Sequence, residues 1–223
     1  MKVAFLHALP FDERMWEPQL GEFDAVAPTL YPLGSSFDEW ALGVLQQVPG
    51  RFVAVGASMG GYTAAAIARL APERLAGLVL AGSRADADPP ERAPLREEWI
   101  GIARERGGEG LWEAAARNFF APRAPDGVVE RARAIAAEQD PEGLVRAITA
   151  IRDRPDSTEA VTSGIPLLVV AGEHDPLIPV SVCETLAARS PAGRVEVLEC
   201  GHLPSWERPD EFTAMLSAFV SSL

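Results

Sequence analysis

A serine hydroxyl is a weak nucleophile that becomes useful when the backbone presents it at a sharp turn and a neighbouring base takes its proton. The stretch Gly56-Ala57-Ser58-Met59-Gly60 has the form of such a turn: an apolar run ends at Val55, and an alanine-rich run over 62–70 follows. A strand that turns abruptly into a helix holds its serine in a strained conformation, hydroxyl above the sheet. The residues two before and two after it must be small, because strand end and helix start nearly touch there. Gly56 and Gly60 fill those places, and Gly61 lets the helix pack closely.

The base must come from three histidines, His7, His174 and His202. His7 ends the first apolar run, and His174 adjoins the leading acid candidate, so neighbouring side chains there diverge. His202 stands alone in a loop after the last strand-like run, free to swing back toward Ser58, and is the expected base. The expected acid is Asp175, in the loop Gly172-Glu173-His174-Asp175-Pro176 that closes a buried strand; Glu173, Asp86 and Asp88 compete for the role. In a parallel sheet the loops leaving the strands share one edge, so Ser58, Asp175 and His202 are expected to converge. An oxyanion formed at an attacked carbonyl needs backbone amides. Met59, just past the serine, is one candidate donor. Leu9, after the first strand, is the other, since Pro10 has no amide hydrogen.

The elements that must position these groups alternate. Strand-like runs over 3–6, 23–27, 52–55 and 75–80 are separated by helical patterns, one capped by Ser35 or Ser36 with Glu39 and running to Gln47. Short runs apolar throughout are strands covered on both faces, and the alternation predicts an α/β architecture with a mostly parallel sheet. Over 84–164 it stops. Four helices are expected there, separated by breakers at Pro89-Pro90, Gly107-Gly108, Pro122 with Pro125, Pro141 and Pro155. Their apolar faces are Leu111, Ala115 and Phe119; Val128, Ala132 and Ile135; and Leu144, Ile148 and Ile151. The simplest arrangement is a helical cap, 84–164, inserted into a core of 1–83 and 165–223. The core resumes with strands at 166–171 and 195–198, a helix over 180–189, and a final amphipathic helix carrying Phe212, Met215, Leu216 and Phe219.

With 223 residues, 48% hydrophobic and 23% charged, the chain matches one ordinary globular domain with an insertion. A net charge of −12 opposes binding to nucleic acid or anionic membranes. Residues 1–6 lack the pattern of a secretory signal, and no apolar stretch is long enough to span a bilayer. Only Cys183 and Cys200 are present, which makes a reducing cytoplasm the default and core thiols their expected role. Neither the scattered histidines nor the cysteines have metal-ligand spacing, and no phosphate loop or dinucleotide fingerprint appears. No cofactor is expected.

The elbow Gly56-Ala57-Ser58-Met59-Gly60, the acid segment Gly172-Glu173-His174-Asp175 and the base segment Gly201-His202 occur in the order Ser, Asp, His. In this the chain resembles the α/β-hydrolase-fold serine hydrolases. Two departures stand out: Ala8 replaces a common glycine in the oxyanion loop, and the usual leading pair of strands is missing, leaving about six. The resemblance implies a hydrolase of small carboxylic esters or lactones acting through an acyl-enzyme, as a monomer or homodimer. It leaves open an aminopeptidase, a lyase or carbon–carbon bond hydrolase using the same triad, and a non-catalytic binding module on the same fold. Arg84, just past the fourth strand, is a candidate contact for an anionic substrate, with a surface ion pair as its alternative.

Overall fold

A computed structural model describes all residues 1–223. The chain opens with β1 (Lys2–Leu6), a 3₁₀ turn at Glu13–Trp16, α1 (Glu17–Leu20) and β2 (Ala25–Val26). Then come α2 (Phe37–Gln47), β3 (Phe52–Ala57), α3 (Met59–Leu70) and β4 (Leu75–Ala81). Four helices follow before the sheet resumes: α4 (Ala93–Ala114), α5 (Asp126–Ala137), α6 (Pro141–Arg152) and α7 (Thr158–Val161). The chain closes with β5 (Leu167–Gly172), α8 (Val180–Arg189), β6 (Gly193–Leu198), α9 (Pro204–Glu207) and α10 (Pro209–Ser221).

All six strands are parallel, in the order β2-β1-β3-β4-β5-β6. Strands β3, β4 and β5 are buried at every position, which explains why their sequences are apolar without alternation. The chain moves outward from β1 to β2 and then returns to β3 on the other side. The loops after β1 and β3 therefore diverge, opening a crevice at the switch point between them. Pairing of Leu6 with Gly56, Ala57 with Ala81, and Gly172 with Leu198 brings the carboxyl ends of β1, β3, β4, β5 and β6 to one edge.

Helix α3 is buried from Met59 through Ala68, as its nearly all-round apolar sequence requires. Ser36 caps α2 by accepting from the Glu39 amide, while the Glu39 carboxylate accepts from the Ser35 amide, a reciprocal closure of the helix start. Helix α8 packs on β5 and β6, and Phe219 of α10 faces Gly77 of β4.

Two local expectations are corrected. The strand at 23–27 shrinks to two residues paired with Val3 and Ala4. The ring of Phe23 instead packs against Phe5, 6.0 Å between centroids, so its apolar signal reports core packing rather than a ladder position. Leu111, Ala115 and Phe119 do not share one helix: α4 ends at Ala114, Ala115 leaves helical geometry, and Phe119 closes a 3₁₀ turn, Ala116–Phe119. The Gly107-Gly108 breaker becomes a sharp kink within α4, with Gly107 at φ 57°. A side chain on Gly108 would meet the Ala136 carbonyl of α5.

Candidate active site

Ser58 sits between β3 and α3 at φ 47°, ψ −111°, the sole non-glycine residue with positive φ. That conformation costs energy and persists because its surroundings enforce it. The Ser58 amide donates to the Ala81 carbonyl at 2.9 Å, and the Ser83 hydroxyl donates to the Ser58 carbonyl at 2.8 Å, so the end of β4 latches both sides of the turn. A Cβ on Gly56 would strike the Gly60 backbone, and one on Gly60 would strike the Leu6 carbonyl. The spacing of small residues around the serine follows from that contact.

The three predicted side chains meet. The Ser58 hydroxyl lies 2.8 Å from His202 Nε2, and His202 Nδ1 lies 2.7 Å from Asp175 Oδ2. With its proton on Nδ1, the imidazole donates to Asp175 and accepts the serine hydroxyl at Nε2. The other carboxylate oxygen of Asp175 accepts from the amides of Leu177 (2.7 Å) and Ile178 (3.0 Å), which fixes the carboxylate plane. Burial by itself raises the Asp175 pKa, but the imidazole and these two amides outweigh it and hold the carboxyl below its usual range. Asp175 and His202 are buried while Ser58 is partly exposed, so the linked side chains are shielded from solvent except at the serine.

Other candidates lie elsewhere. His7 is buried, accepts the Leu30 amide at Nε2 and turns Nδ1 to the Ala8 carbonyl. His174 and Glu173 are exposed. Asp86 pairs with Arg84, and Asp88 is enclosed between Arg96 and Arg154. Cys183 and Cys200 are separate buried thiols whose pKa values burial pushes up to about 12. Nowhere do three or more His, Cys, Asp or Glu side chains gather to hold a metal ion.

Ser58 and His202 open onto a cavity of about 150 Å³, lined chiefly by apolar side chains that include Leu9, Trp99, Phe119, Ile151 and Ile178. A cavity of about 310 Å³ beside Arg84 and another of about 210 Å³ beside His174 are larger, but neither touches the serine. Leu9 is in the cavity wall and its amide donates to no group of the chain; the Met59 amide belongs to the first turn of α3, where helix donors lack intrahelical partners.

A sequence model described as the alpha/beta hydrolase family matches residues 3–215. The chain belongs to the alpha/beta hydrolase family. A 3-oxoadipate enol-lactonase of Acinetobacter baylyi is 28% identical over 74% of this chain and 62% of its own length, so that match spans less than two thirds of the relative. A second enol-lactonase of the same organism is 23% identical over 99% of this chain and 89% of its own. Among solved structures, a thermophilic esterase from Thermogutta terrifontis, with malate bound, superposes with a TM-score of 0.91 at 29% identity, covering 100% of this chain and 90% of that one. This alpha/beta hydrolase has no helix long and apolar enough to cross a membrane.

Sequence reasoning missed several residues of the site. Ser83 carries no motif. Glu207, five residues past His202, accepts from the Gly201 amide at 3.0 Å and the Ala121 amide at 2.8 Å and thereby tethers the His202 loop. Arg92 and Arg96 line the Ser58 cavity, whereas Arg84 does not. All four belong to tertiary contacts, and no local pattern marks them.

Proposed function

We propose that this alpha/beta hydrolase is a serine hydrolase of small carboxylic esters or lactones, with Ser58 as nucleophile, His202 as base and Asp175 as orienting acid. The continuous hydrogen-bonded path from the Ser58 hydroxyl through His202 to Asp175 carries the reading. Ser58 Oγ bonds to the substrate carbonyl carbon as its proton passes to His202 Nε2, and Asp175 stabilises the imidazolium that forms. The carbonyl oxygen becomes an oxyanion held by the amides of Leu9 and Met59. Collapse breaks the bond to the alcohol oxygen, which leaves with the proton from Nε2. A water then attacks the acyl-serine, giving its proton to Nε2, and the second collapse restores the Ser58 hydroxyl and frees the acid. With a lactone, the released alcohol and acid are one molecule.

The size of the cavity favours small substrates: about 150 Å³ lies below the ~300–1,000 Å³ of pockets that enclose drug-sized ligands. Relatives named as enol-lactonases and an esterase are compatible with this chemistry. The same reading makes residues 84–164 a cap carried on a core of 1–83 and 165–223, because Arg92, Arg96, Trp99, Phe119 and Ile151 all wall the cavity from within that insert. Incubation with a fluorophosphonate followed by peptide mapping tests the nucleophile. Labelling at Ser58, together with p-nitrophenyl ester turnover that disappears in Ser58→Ala, is the expected result; folded protein that neither labels nor turns over any ester of the series overturns it.

A further inference from the structure

The wall of the Ser58 cavity contains two arginines and no carboxylate. Arg96 is buried and donates through Nε and Nη2 to Asp88 at 2.9 and 3.0 Å, and Arg154 donates through Nη1 to the same carboxylate at 2.7 Å. Burial opposes ionisation of Asp88, but the two guanidiniums outweigh it and hold the carboxyl below its usual range. Two cations share one anion, so the cluster keeps a net positive charge. Arg154 Nη2 is buried without a hydrogen-bond partner, and its guanidinium is 4.2 Å from the ring centre of Tyr62, itself part of the cavity wall.

Arg92 adds a second positive charge. It lies half-buried in the 3₁₀ turn Pro90–Arg92, has no carboxylate within ion-pair distance, and makes only a long contact of 3.4 Å to the Leu177 carbonyl. Arg84, which borders a different cavity, is instead paired with Asp86. A protein of net charge −12 therefore presents a locally positive, largely apolar pocket in front of its serine. An unpaired guanidinium in such surroundings has a strong preference for a planar oxyanion, which it can bind with two parallel hydrogen bonds.

We propose that Arg92 is a specificity-determining residue that binds a free carboxylate on the substrate, with the Arg96–Asp88–Arg154 cluster supplying a positive background. The preferred ester or lactone then carries a second, anionic carboxylate group near the scissile bond. This rests on the serine-hydrolase reading above, which names the scissile bond but not its neighbours.

Two measurements separate the failure of one from the failure of the other. In the first, kcat/KM is determined for mono-p-nitrophenyl glutarate and for p-nitrophenyl valerate, its neutral counterpart of equal chain length, with wild type, Arg92→Gln and Arg92→Lys. The ratio of anionic to neutral ester is expected to exceed one in wild type, to fall about tenfold or more in Arg92→Gln, chiefly through KM, and to recover partly in Arg92→Lys. In the second, calorimetry follows binding of glutarate to Ser58→Ala, and the Arg92→Gln change in that background is expected to weaken it by about the same factor. A wild-type ratio at or below one, or a ratio and a glutarate affinity that Arg92→Gln leaves unchanged, overturns the proposal even if Ser58 is labelled and esters are cleaved. Arg92-dependent glutarate binding without ester turnover upholds the carboxylate site and removes the serine-hydrolase reading instead.

Discussion

The backbone amide of His202 donates to the carbonyl of Phe119 at 2.6 Å, tying the loop that carries the proposed base to the helical insert between β4 and β5. The ring of Phe119 also lies edge-on to the imidazole, 5.2 Å between centroids. Glu207 completes the junction by accepting from Gly201 on one side and Ala121 on the other. Burial raises the Glu207 pKa, and the backbone amides of Ala121, Gly201 and Leu203 oppose that rise only in part.

On the proposed reading Glu207 is a positioning residue, and its removal should disturb catalysis through His202. Glu207→Ala leaves the amides of Gly201, Leu203 and half-buried Ala121 without this acceptor, at a cost of about 2–4 kcal/mol in stability. Urea unfolding should show that loss. Ester kinetics on the folded fraction should show a lower kcat with a smaller change in KM, and Glu207→Gln, which keeps an acceptor oxygen, should recover part of both.

On the proposed mechanism, replacing Asp175 by asparagine keeps the shape but removes the charge that would stabilise the imidazolium, and it favours the wrong tautomer of His202. The expected result is a fall in kcat of about 10³-fold or more with the fold retained. Fluorophosphonate labelling of Ser58 should slow in parallel, and unchanged ester kinetics in Asp175→Asn would assign the acid role elsewhere.

The strained turn can be tested at its tightest contact. In Gly60→Ala the new methyl meets the Leu6 carbonyl, a rigid backbone group at the end of β1. The variant should lose about 3 kcal/mol or more, or fail to accumulate as folded protein. Ser83→Ala removes one latch on the Ser58 carbonyl and should cost only about 1 kcal/mol, because the Ser58 amide stays bonded to Ala81.

His7 predicts an acid sensitivity unrelated to catalysis. Burial, partly opposed by its hydrogen bond to Ala8, lowers its pKa to about 4 from the ordinary 6.5. Between those values the unfolded chain binds a proton that the folded chain refuses, so stability falls as pH drops from about 6.5 to about 4, by about 3 kcal/mol in all. Urea midpoints at about pH 7 and about pH 5 should differ for wild type, and the difference should shrink in His7→Gln, where nothing titrates at that position.

Much of the architecture was legible in the chain itself. Runs such as 52–55 and 75–80, apolar at every position, have no stable home except a strand covered on both faces, and their alternation with helices leads to a parallel sheet. The glycines around Ser58 announced a close crossing of strand and helix, because a backbone contact of that kind excludes any side chain. A parallel sheet with loops at one edge then made the meeting of Ser58, His202 and Asp175 a matter of topology.

Tertiary structure decided what no local pattern could encode. Arg84 stands just past the fourth strand and Arg92 shortly after Pro89-Pro90, and neither position says which of them borders the serine. Arg84 is matched by Asp86, two positions on, and only packing shows that it borders a different cavity while Arg92, without an ion-pair partner, lines the Ser58 cavity. The strand at 23–27 shortened to Ala25–Val26, with Phe23 packing its ring on Phe5 instead of joining the ladder, and the face expected of Leu111, Ala115 and Phe119 dissolved where the chain turned to deliver the Phe119 carbonyl to His202. Periodicity and turn chemistry act over a few residues and can be read from them. Pocket walls depend on groups tens to more than a hundred positions apart, from Leu9 to His202, and they exist only once the sheet has brought those groups to one edge.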